Sequence, residues 1–383
     1  MSTATATKTK RPVGADWVIP APDLKAALTA TAPAVQRNHA TFAAVRLGAF
    51  AAEAFNGELR VSVDMMGADF EPFLVPHERL VAIASMAVGD VAFRRDGNTV
   101  RISAGRGQWT LPVIDGEWPE RATTSSKAFL RLPVDQFCRV VKSVVGATDD
   151  DSSRYALGGV LIEQKKGDVA FVATDGRRLH VSYAEVDQAV DDASCIVPAH
   201  AITTLAKLAA INADDAIQLS LAGNELVADM DGVTLWARLL DGRFPRWQDV
   251  IPANIRPEFG TGTEKVFKQP PAHAEVTAGE LLAAVRQASI VVNETSRGVQ
   301  FTFVDNGLML AARSADYGES TVTAELTMAG IKATVRLDPT FVGGWLRNVD
   351  PGAIIEVFAT DAESAVVLRH EDALAVVMPL AAE

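Results

Sequence analysis

The amino-acid sequence predicts an α+β protein made of three sister domains in a row, and recurring segments are the first reason. The pattern aliphatic-Asp-Gly-x-aromatic-Pro at residues 114–119 recurs at 240–245. The segment 75–80 recurs at 197–202, and a third copy opens at Thr277 and ends at 376–380. Spacings of more than about 100 residues are too long for solenoid repeats, which have periods of about 20–50 residues. Each copy is therefore large enough to hold its own core.

Chain length supports the same division. A chain of 383 residues corresponds to two or three domains at about 150 residues each. We predict domains at 15–125, 126–255 and 256–383, preceded by a disordered tail at 1–14 that is rich in Thr, Ala and Lys.

Each domain is predicted to contain two helices. The first helices carry apolar pairs at i and i+4, a spacing that makes one stripe against a sheet: Leu24 and Leu28, Phe137 and Val141, Leu281 and Val285. The second helices are expected after Pro76, after Pro198 and from Pro339, where Asp338 can cap the helix N-terminus.

Alternating segments between the helices predict strands. Examples are 168–173, 216–221 and 354–358, and residues 96–98 and 305–307 are candidate hairpin turns. Each domain is thus expected to combine antiparallel β-sheet with two helices on one face.

Composition excludes several classes of protein. No apolar run reaches the roughly 20 residues of a membrane span, and two cysteines make a disulfide framework improbable, which favours the cytoplasm. The six histidines show no metal-ligand spacing, and neither a Walker loop nor a nucleophile elbow occurs. We expect no catalytic residues, no metal and no cofactor. The net charge of −12 argues against a surface that grips nucleic acid everywhere, but leaves room for a locally basic face.

Basic residues lie off the apolar stripes of the first helices. These are Lys25, Arg139, Lys142 and Arg286, and no acidic residue follows them within their helices. Either they form an ordinary solvated face, or they face a central hole if the domains close into a ring.

Four segments in order, at 154–159, 173–179, 241–245 and 376–379, resemble the bacterial DNA sliding clamp family, the β subunit of DNA polymerase III. The resemblance implies the DNA-clamp fold and a homodimeric ring of six sister domains with helices on the inner face. Such a ring encircles duplex DNA without reading its sequence. A clamp loader loads it, and it tethers DNA polymerases through their short peptide motifs. A two-fold dimer leaves no open end.

The resemblance also implies functional residues. The residues implied to contact DNA include the basic residues of the first helices and several loop residues. They are Lys25, Arg37, Arg139, Lys142, Arg154, Tyr155 and Arg286. The dimer interface would use Trp109 and Arg106 against Ile290 and Val291, with Arg94, Arg95 and Arg101 opposite Asp316, Glu319 and Glu325.

A partner-peptide groove between the second and third domains is implied in the same way. Its wall would be formed by Leu157, Thr174, Gly176, Arg177, Leu179, Pro245, Val250, Val376, Val377, Met378, Pro379 and Leu380. An apolar slot containing Met suits short peptides that carry Leu or Phe.

Three departures from the family pattern leave alternatives open. Arg177 stands where the family often has His, Asp249 stands where a basic residue is common, and the tail lacks the usual Arg after Pro379. The first domain is also shorter than usual around residues 43–58. An accessory, phage-encoded or inhibitor-tolerant clamp with altered partners is therefore the main alternative. An enzyme and a non-replicative β-rich binding module are the others.

Overall fold

The structure, a computed structural model, describes residues 17–48, 50–65, 70–120, 125–149, 156–165, 168–186, 192–211, 215–251, 272–294, 297–304, 307–325, 327–329 and 332–381. The chain divides into two compact units. The first contains the described residues up to Lys127 together with Gln218–Arg238, and the second contains Ala128–Ile211, Asp215–Ile217 and the described residues from Leu239 onward. The predicted tail, residues 1–14, lies outside the described residues.

Within the described residues, the first third of the chain contains eight strands and two helices. They are β1 (Trp17–Pro20), α1 (Ala21–Thr31), β2 (Ala44–Leu47), β3 (Ala51–Phe55), β4 (Leu59–Asp64), β5 (Phe73–Pro76), α2 (His77–Met86), β6 (Asp90–Asp96), β7 (Thr99–Ala104) and β8 (Gly107–Pro112). The predicted hairpin at 96–98 is confirmed, because β6 and β7 pair on either side of it.

The middle of the chain repeats this composition. Its elements are β9 (Lys127–Pro133), α3 (Val134–Val144), β10 (Gly159–Lys165), β11 (Asp168–Thr174), β12 (Arg178–Ala184), β13 (Ala193–Pro198), α4 (Ala199–Ile211), β14 (Ala216–Ala222), β15 (Glu225–Met230), β16 (Val233–Arg238) and a 3-10 turn at Trp247–Val250. The predicted strands at 168–173 and 216–221 are confirmed.

The part of the last third that the structure describes contains nine strands and two helices. They are β17 (Ala272–Thr277), α5 (Ala278–Ala288), a 3-10 turn at Ser289–Val291, β18 (Val299–Val304), β19 (Gly307–Ser314), β20 (Gly318–Glu325), β21 (Thr327–Ala329), β22 (Thr334–Leu337), α6 (Pro339–Leu346), β23 (Ile354–Ala359), β24 (Val366–His370) and β25 (Ala373–Val377). The candidate turn at 305–307 lies partly outside the described residues.

The helices form for the reasons expected. The three i, i+4 pairs are buried in α1, α3 and α5. The Thr277 hydroxyl accepts a hydrogen bond from the Glu280 N–H at 3.2 Å, and Asp338 Oδ1 accepts one from the Thr340 N–H at 2.9 Å. These side chains satisfy N–H groups that have no partner within the helix. Helix α1 packs on α2, α3 on α4, and α5 on α6.

In both units, the helices pack against antiparallel sheets. In the first unit, one sheet has the order β1-β6-β7-β8 and the other runs β5-β2-β3-β4-β16-β15-β14. In the second unit, a nine-stranded sheet has the order β13-β10-β11-β12-β25-β24-β23-β17-β21, beside a four-stranded sheet β20-β19-β18-β22. The α+β prediction is confirmed. The boundaries at 125/126 and 255/256 stay predictions, since the compact units follow strand pairing and not the repeats.

Two strand pairings position residues that the sequence analysis singled out. We call the pairing of β4 with β16, in the first unit, the first joint, and the pairing of β12 with β25, in the second unit, the second joint. Each joint joins strands from two predicted sister domains. No helix within the described ranges is both long and apolar enough to cross a membrane.

Candidate functional site

Several of the predicted groove residues meet at the second joint. Leu179 of β12 is opposite Val376 of β25, and Arg178 is opposite Val377. Just beyond the last pair, the Met378 N–H donates a hydrogen bond to the Arg177 carbonyl oxygen at 2.9 Å. Residues about 200 positions apart are thus held in one register by backbone hydrogen bonds.

The turn before β12 is held by its own side chains. Asp175 Oδ1 accepts hydrogen bonds from the Arg177 and Arg178 N–H groups, both at 2.9 Å. The Thr174 hydroxyl donates to the Arg178 carbonyl at 2.6 Å. Gly176 has φ +83°, which favours glycine. The turn therefore presents Arg177 from a fixed backbone.

The floor of the groove is apolar and buried. Leu179 is 3% exposed and packs in one cluster with Val376, Val172 and Trp247. The Trp247 indole N–H donates to Glu163 Oε2 at 3.1 Å, which ties the 3-10 turn to β10. Sequence reasoning missed Trp247. Its position three residues before Val250, at helical spacing, was the available signal.

The rim exposes apolar side chains above this floor. Val250 is 46% exposed and Met378 42% exposed, Pro245 is exposed, and Pro379 and Leu380 are half-buried. Large apolar side chains that stay exposed on a folded chain are candidates for a binding surface. Val376 and Val377 differ from the exposed wall that the resemblance implies, because both side chains are buried. Val376 packs in the floor cluster, and Val377 packs in a different cluster on the other face of the sheet.

The edge of the groove carries side chains of both charges. Arg177 is exposed, and Asp249 forms an ion pair with Arg246, whose Nε lies 3.2 Å from the Asp249 carboxylate. The acidic departure at 249 is therefore partly offset by its own neighbour. Leu157 lies in a 3-10 turn at Ala156–Gly158 and is buried.

A cavity of about 940 Å³ borders the end of the groove. Its lining includes Arg313, Glu319, Arg336, Pro379 and Leu380. The Leu380 N–H donates to the Arg336 carbonyl at 2.8 Å, so the C-terminal segment lies along β22. No sequence pattern signalled this cavity, because strands and the C-terminal segment form it only in the fold.

His180 lies on the opposite side of β12 from Leu179. It is buried, and its Nδ1 lies 3.1 Å from the Ser143 carbonyl of α3. Burial, aided by the positive charge of Arg178, lowers the pKa of His180 to about 3. The ring is therefore neutral at physiological pH.

The described DNA candidates are exposed and basic. Lys25, Arg139, Lys142 and Arg286 lie on the polar sides of α1, α3 and α5, and Arg37 follows α1 in a loop. Among the ion pairs of the described residues, none involves these five side chains. Arg154 and Tyr155 lie outside the described residues.

The dimer candidates lie on or beside two sheet edges. Trp109 and Arg106 belong to β8 and the turn before it, and β8 is the last strand of its sheet. Ile290, 77% exposed, and the buried Val291 lie in the 3-10 turn that packs beside edge strand β20. The nearby Asp316 and Glu319 are exposed, and the side chain of Glu325 lies outside the described residues.

A possible metal-ligand cluster lies elsewhere on the second unit. Donor atoms of His273, Glu275 and Glu356 lie within 4.8 Å of one another. However, Arg369 donates two hydrogen bonds to Glu356, at 2.6 and 2.7 Å. A cation would have to displace this bidentate guanidinium, so we assign no metal to the cluster.

Comparisons with known proteins agree with one another. Residues 131–246 match the model of the DNA polymerase III beta subunit, central domain. The chain is 24% identical over 295 residues to the beta sliding clamp of Proteus mirabilis, covering 76% of each chain. It is 25% identical over 316 residues to that of Haemophilus influenzae, covering 80% of this chain and 81% of the relative.

Solved structures show the same fold along almost the whole chain. A putative DNA polymerase III beta subunit from Eubacterium rectale superposes with TM-score 0.85 at 15% identity, covering 95% of this chain and 98% of the other. A DNA polymerase sliding clamp from Pseudomonas aeruginosa gives TM-score 0.83 at 21% identity, covering 95% and 99%. The architecture is therefore the sliding-clamp fold. The matched central domain, the named relatives and the solved structures all support the bacterial DNA polymerase III β-subunit family, the β sliding clamps.

Proposed function

We propose that this chain acts as a DNA sliding clamp, a non-catalytic processivity factor that encircles duplex DNA and tethers polymerases. The observation that carries the proposal is the clamp fold over 95% of the chain, together with relatives named beta sliding clamp. The chain then holds a polymerase at its template and performs no chemistry itself. It works in the cytoplasm, where bacterial DNA is replicated.

The exposed basic residues of α1, α3 and α5 supply attraction to DNA. Cations on these helices can contact phosphates without reading bases, and each such contact adds a salt-sensitive, sequence-independent term. A few separated cations give a surface along which a duplex can slide. The net charge of −12 disfavours DNA contact with the rest of the surface.

Ring closure would use the two edge strands. β8 and β20 each end a sheet within the described residues, so each has one unpaired edge that can accept another strand. Trp109 and Ile290 provide apolar contacts, and Arg106 faces acidic Glu319 in this arrangement. Two copies of the chain close by two equivalent contacts and leave no edge open. An apolar centre with a charged rim is typical of stable interfaces.

Partner recognition would use the groove at the second joint. Its buried floor and exposed Val250 and Met378 offer a slot for Leu or Phe side chains of short peptides. Polymerases and the clamp loader would present such peptides in turn. Affinities near micromolar, or about −8 kcal/mol, would allow exchange between partners.

A second candidate is an accessory clamp with altered partners. Arg177 is exposed at the groove lip, and the Arg246–Asp249 ion pair adds two further charges of opposite sign there. These charges can select different flanking residues in a peptide. Competition between peptides from replicative polymerases and from repair polymerases separates the two candidates.

Mass measurement in solution tests the assembly. We expect a dimer of twice 40.7 kDa by light scattering. A chain that stays monomeric at high concentration contradicts an autonomous ring.

A further inference from the structure

The turn that opens the groove has a structural counterpart in the first unit. Asn56 Oδ1 accepts hydrogen bonds from the Glu58 and Leu59 N–H groups at 3.0 and 2.8 Å, as Asp175 does from the two residues that follow Gly176. Gly57, with φ +98°, corresponds to Gly176. The same local structure therefore precedes β4 and β12.

The strand register extends this correspondence. In the first joint, Leu59 is opposite Ala237 and Arg60 is opposite Trp236. The next backbone hydrogen bond runs from the Arg238 N–H to the Glu58 carbonyl at 2.9 Å, as the bond from Met378 to Arg177 does in the second joint. Arg60 is thus the positional counterpart of Leu179.

The neighbouring strand obeys the same register. Phe55 is opposite Arg60 in β3–β4, and Thr174 is opposite Leu179 in β11–β12. Two residues earlier, Glu53 corresponds to Val172, which packs in the groove-floor cluster. The recurring segments 114–119 and 240–245 supply Trp118, which donates a hydrogen bond to Glu53, and Phe244, which packs against the groove-floor cluster.

The residues at these corresponding positions of the two joints differ in charge and polarity. The Arg60 side chain is almost fully buried, and its Nη1 donates to Glu53 Oε1 at 2.7 Å. Its Nη2 donates to the Pro119 carbonyl at 2.6 Å. Where the second joint has Val172 and Leu179, the first joint therefore has a buried ion pair.

Aromatic rings occupy the remaining space around that ion pair. The Arg60 guanidinium carbon lies 4.7 Å from the Phe55 ring centre and 5.9 Å from that of Trp118. Phe42 packs edge-on against Phe55 at 5.2 Å, and the Trp118 indole N–H donates to Glu53. Displacing a buried charge whose hydrogen bonds are made within the protein costs free energy. An incoming apolar side chain would therefore have no apolar surface to pack against here.

We infer that the first joint is a closed counterpart of the peptide groove. Arg60, Glu53 and Phe55 fill the position where an apolar peptide side chain would bind, so each protomer takes one partner peptide although it contains two related joints. This inference rests on the proposed function, because it takes the groove at the second joint as the peptide site.

The test counts bound peptides. The probe is a fluorescent synthetic decapeptide ending in Leu-Phe, and stoichiometry is measured by titration and by native mass spectrometry. The unaltered chain is expected to bind one peptide per protomer, and Met378→Asp is expected to bind it at least about tenfold more weakly. Two peptides bound per protomer by the unaltered chain overturn the inference, because the first joint would then be open. No binding by the unaltered chain instead contradicts the proposed groove, so the two failures are distinguishable.

A variant that should open the first joint to peptide is made by giving it the residues of the second joint. Glu53→Val, Phe55→Thr and Arg60→Leu place the residues of positions 172, 174 and 179 in the first joint. In the Met378→Asp background this variant is expected to restore binding of one peptide per protomer, and a folded variant that binds no more tightly than Met378→Asp alone overturns the inference. Arg60→Lys in the same background keeps the cation and is expected to bind no more tightly than Met378→Asp alone. If the triple variant does not fold, Glu53→Val with Arg60→Leu, which keeps the bulk of Phe55, is measured under the same criteria.

Discussion

The Met378 N–H donates a 2.9 Å hydrogen bond to the Arg177 carbonyl oxygen. This bond places a flexible, exposed thioether beside a charged side chain that a well-ordered turn presents. Because backbone atoms make the bond, substitutions of either side chain leave it in place. The rim of the groove can therefore vary in chemistry while its geometry is kept.

Met378→Asp tests the groove. The side chain is exposed, so we expect a small change in the free energy of unfolding. A carboxylate above an apolar floor should weaken binding of a Leu-Phe peptide at least about tenfold, or about 1.4 kcal/mol. Fluorescence anisotropy measures the affinity. Ile354→Asp is the matched control, since Ile354 is also an exposed apolar residue of the second unit. An equal loss in both variants would contradict a local role for Met378.

Arg139→Ala with Lys142→Ala tests the DNA-facing helices. If both cations contact phosphates, the slope of log K against log salt for duplex binding should fall by roughly 2, at about 0.9 per contact. Binding is measured over a salt series on duplexes of different sequence, with an equal effect expected on each. Lys165→Ala, an exposed cation at the end of β10, should leave the slope unchanged. An unchanged slope in the double variant argues against α3 as a DNA surface.

Ile290→Asp tests the ring joint. The side chain is 77% exposed, so the fold should be unaffected, while a carboxylate in an apolar interface should raise the dimer dissociation constant at least about tenfold. Sedimentation equilibrium measures the change. Ile211→Asp alters another exposed isoleucine, at the end of α4, and is expected to stay dimeric. If Ile290→Asp stays as dimeric as this control, the interface lies elsewhere.

His180 predicts a pH dependence of stability. Its pKa falls from 6.5 to about 3 on folding, so between these values the unfolded chain binds a proton that the folded chain does not. Stability should therefore rise with pH across this window. From about pH 5 to about pH 7 one such group contributes about 2 kcal/mol.

His180→Leu removes that contribution. Denaturant unfolding at several pH values should show a shallower rise for the variant than for the unaltered chain. Identical pH profiles would mean that the ring is protonated equally in both states. Because acidic groups titrate in both proteins, the difference between the two profiles isolates His180.

Local patterns in the sequence predicted much of the fold. The i, i+4 pairs such as Phe137 and Val141 located the first helices, since one buried stripe per helix is a local signal. Asp338 marked a helix start because its side chain caps its own segment. Recurring segments indicated sister domains. Strand order did not follow, because pairings such as β12 with β25 join residues far apart in the chain.

The proximity of some candidate groove residues was easier to predict from the sequence than their exposure. The resemblance predicted that Leu179 and Met378 lie near each other, and the strand register places them so. Alternation along β25, however, buries Val376 and Val377 on opposite faces of the sheet, against different clusters. Arg60 carried no signal: in an alternating strand, a single cation is typical of a solvated face. Its partners Glu53 and Pro119 meet it only through the fold.

Retention on DNA of different topology shows whether the protein encircles the duplex. The protein is loaded onto nicked circular DNA by the clamp loader of the source cell with ATP, and the DNA is then cut once. A ring that encircles the duplex should stay on the circle through high-salt washing and slide off after the cut. Equal retention on circular and linear DNA would show binding without encirclement, and would contradict the account.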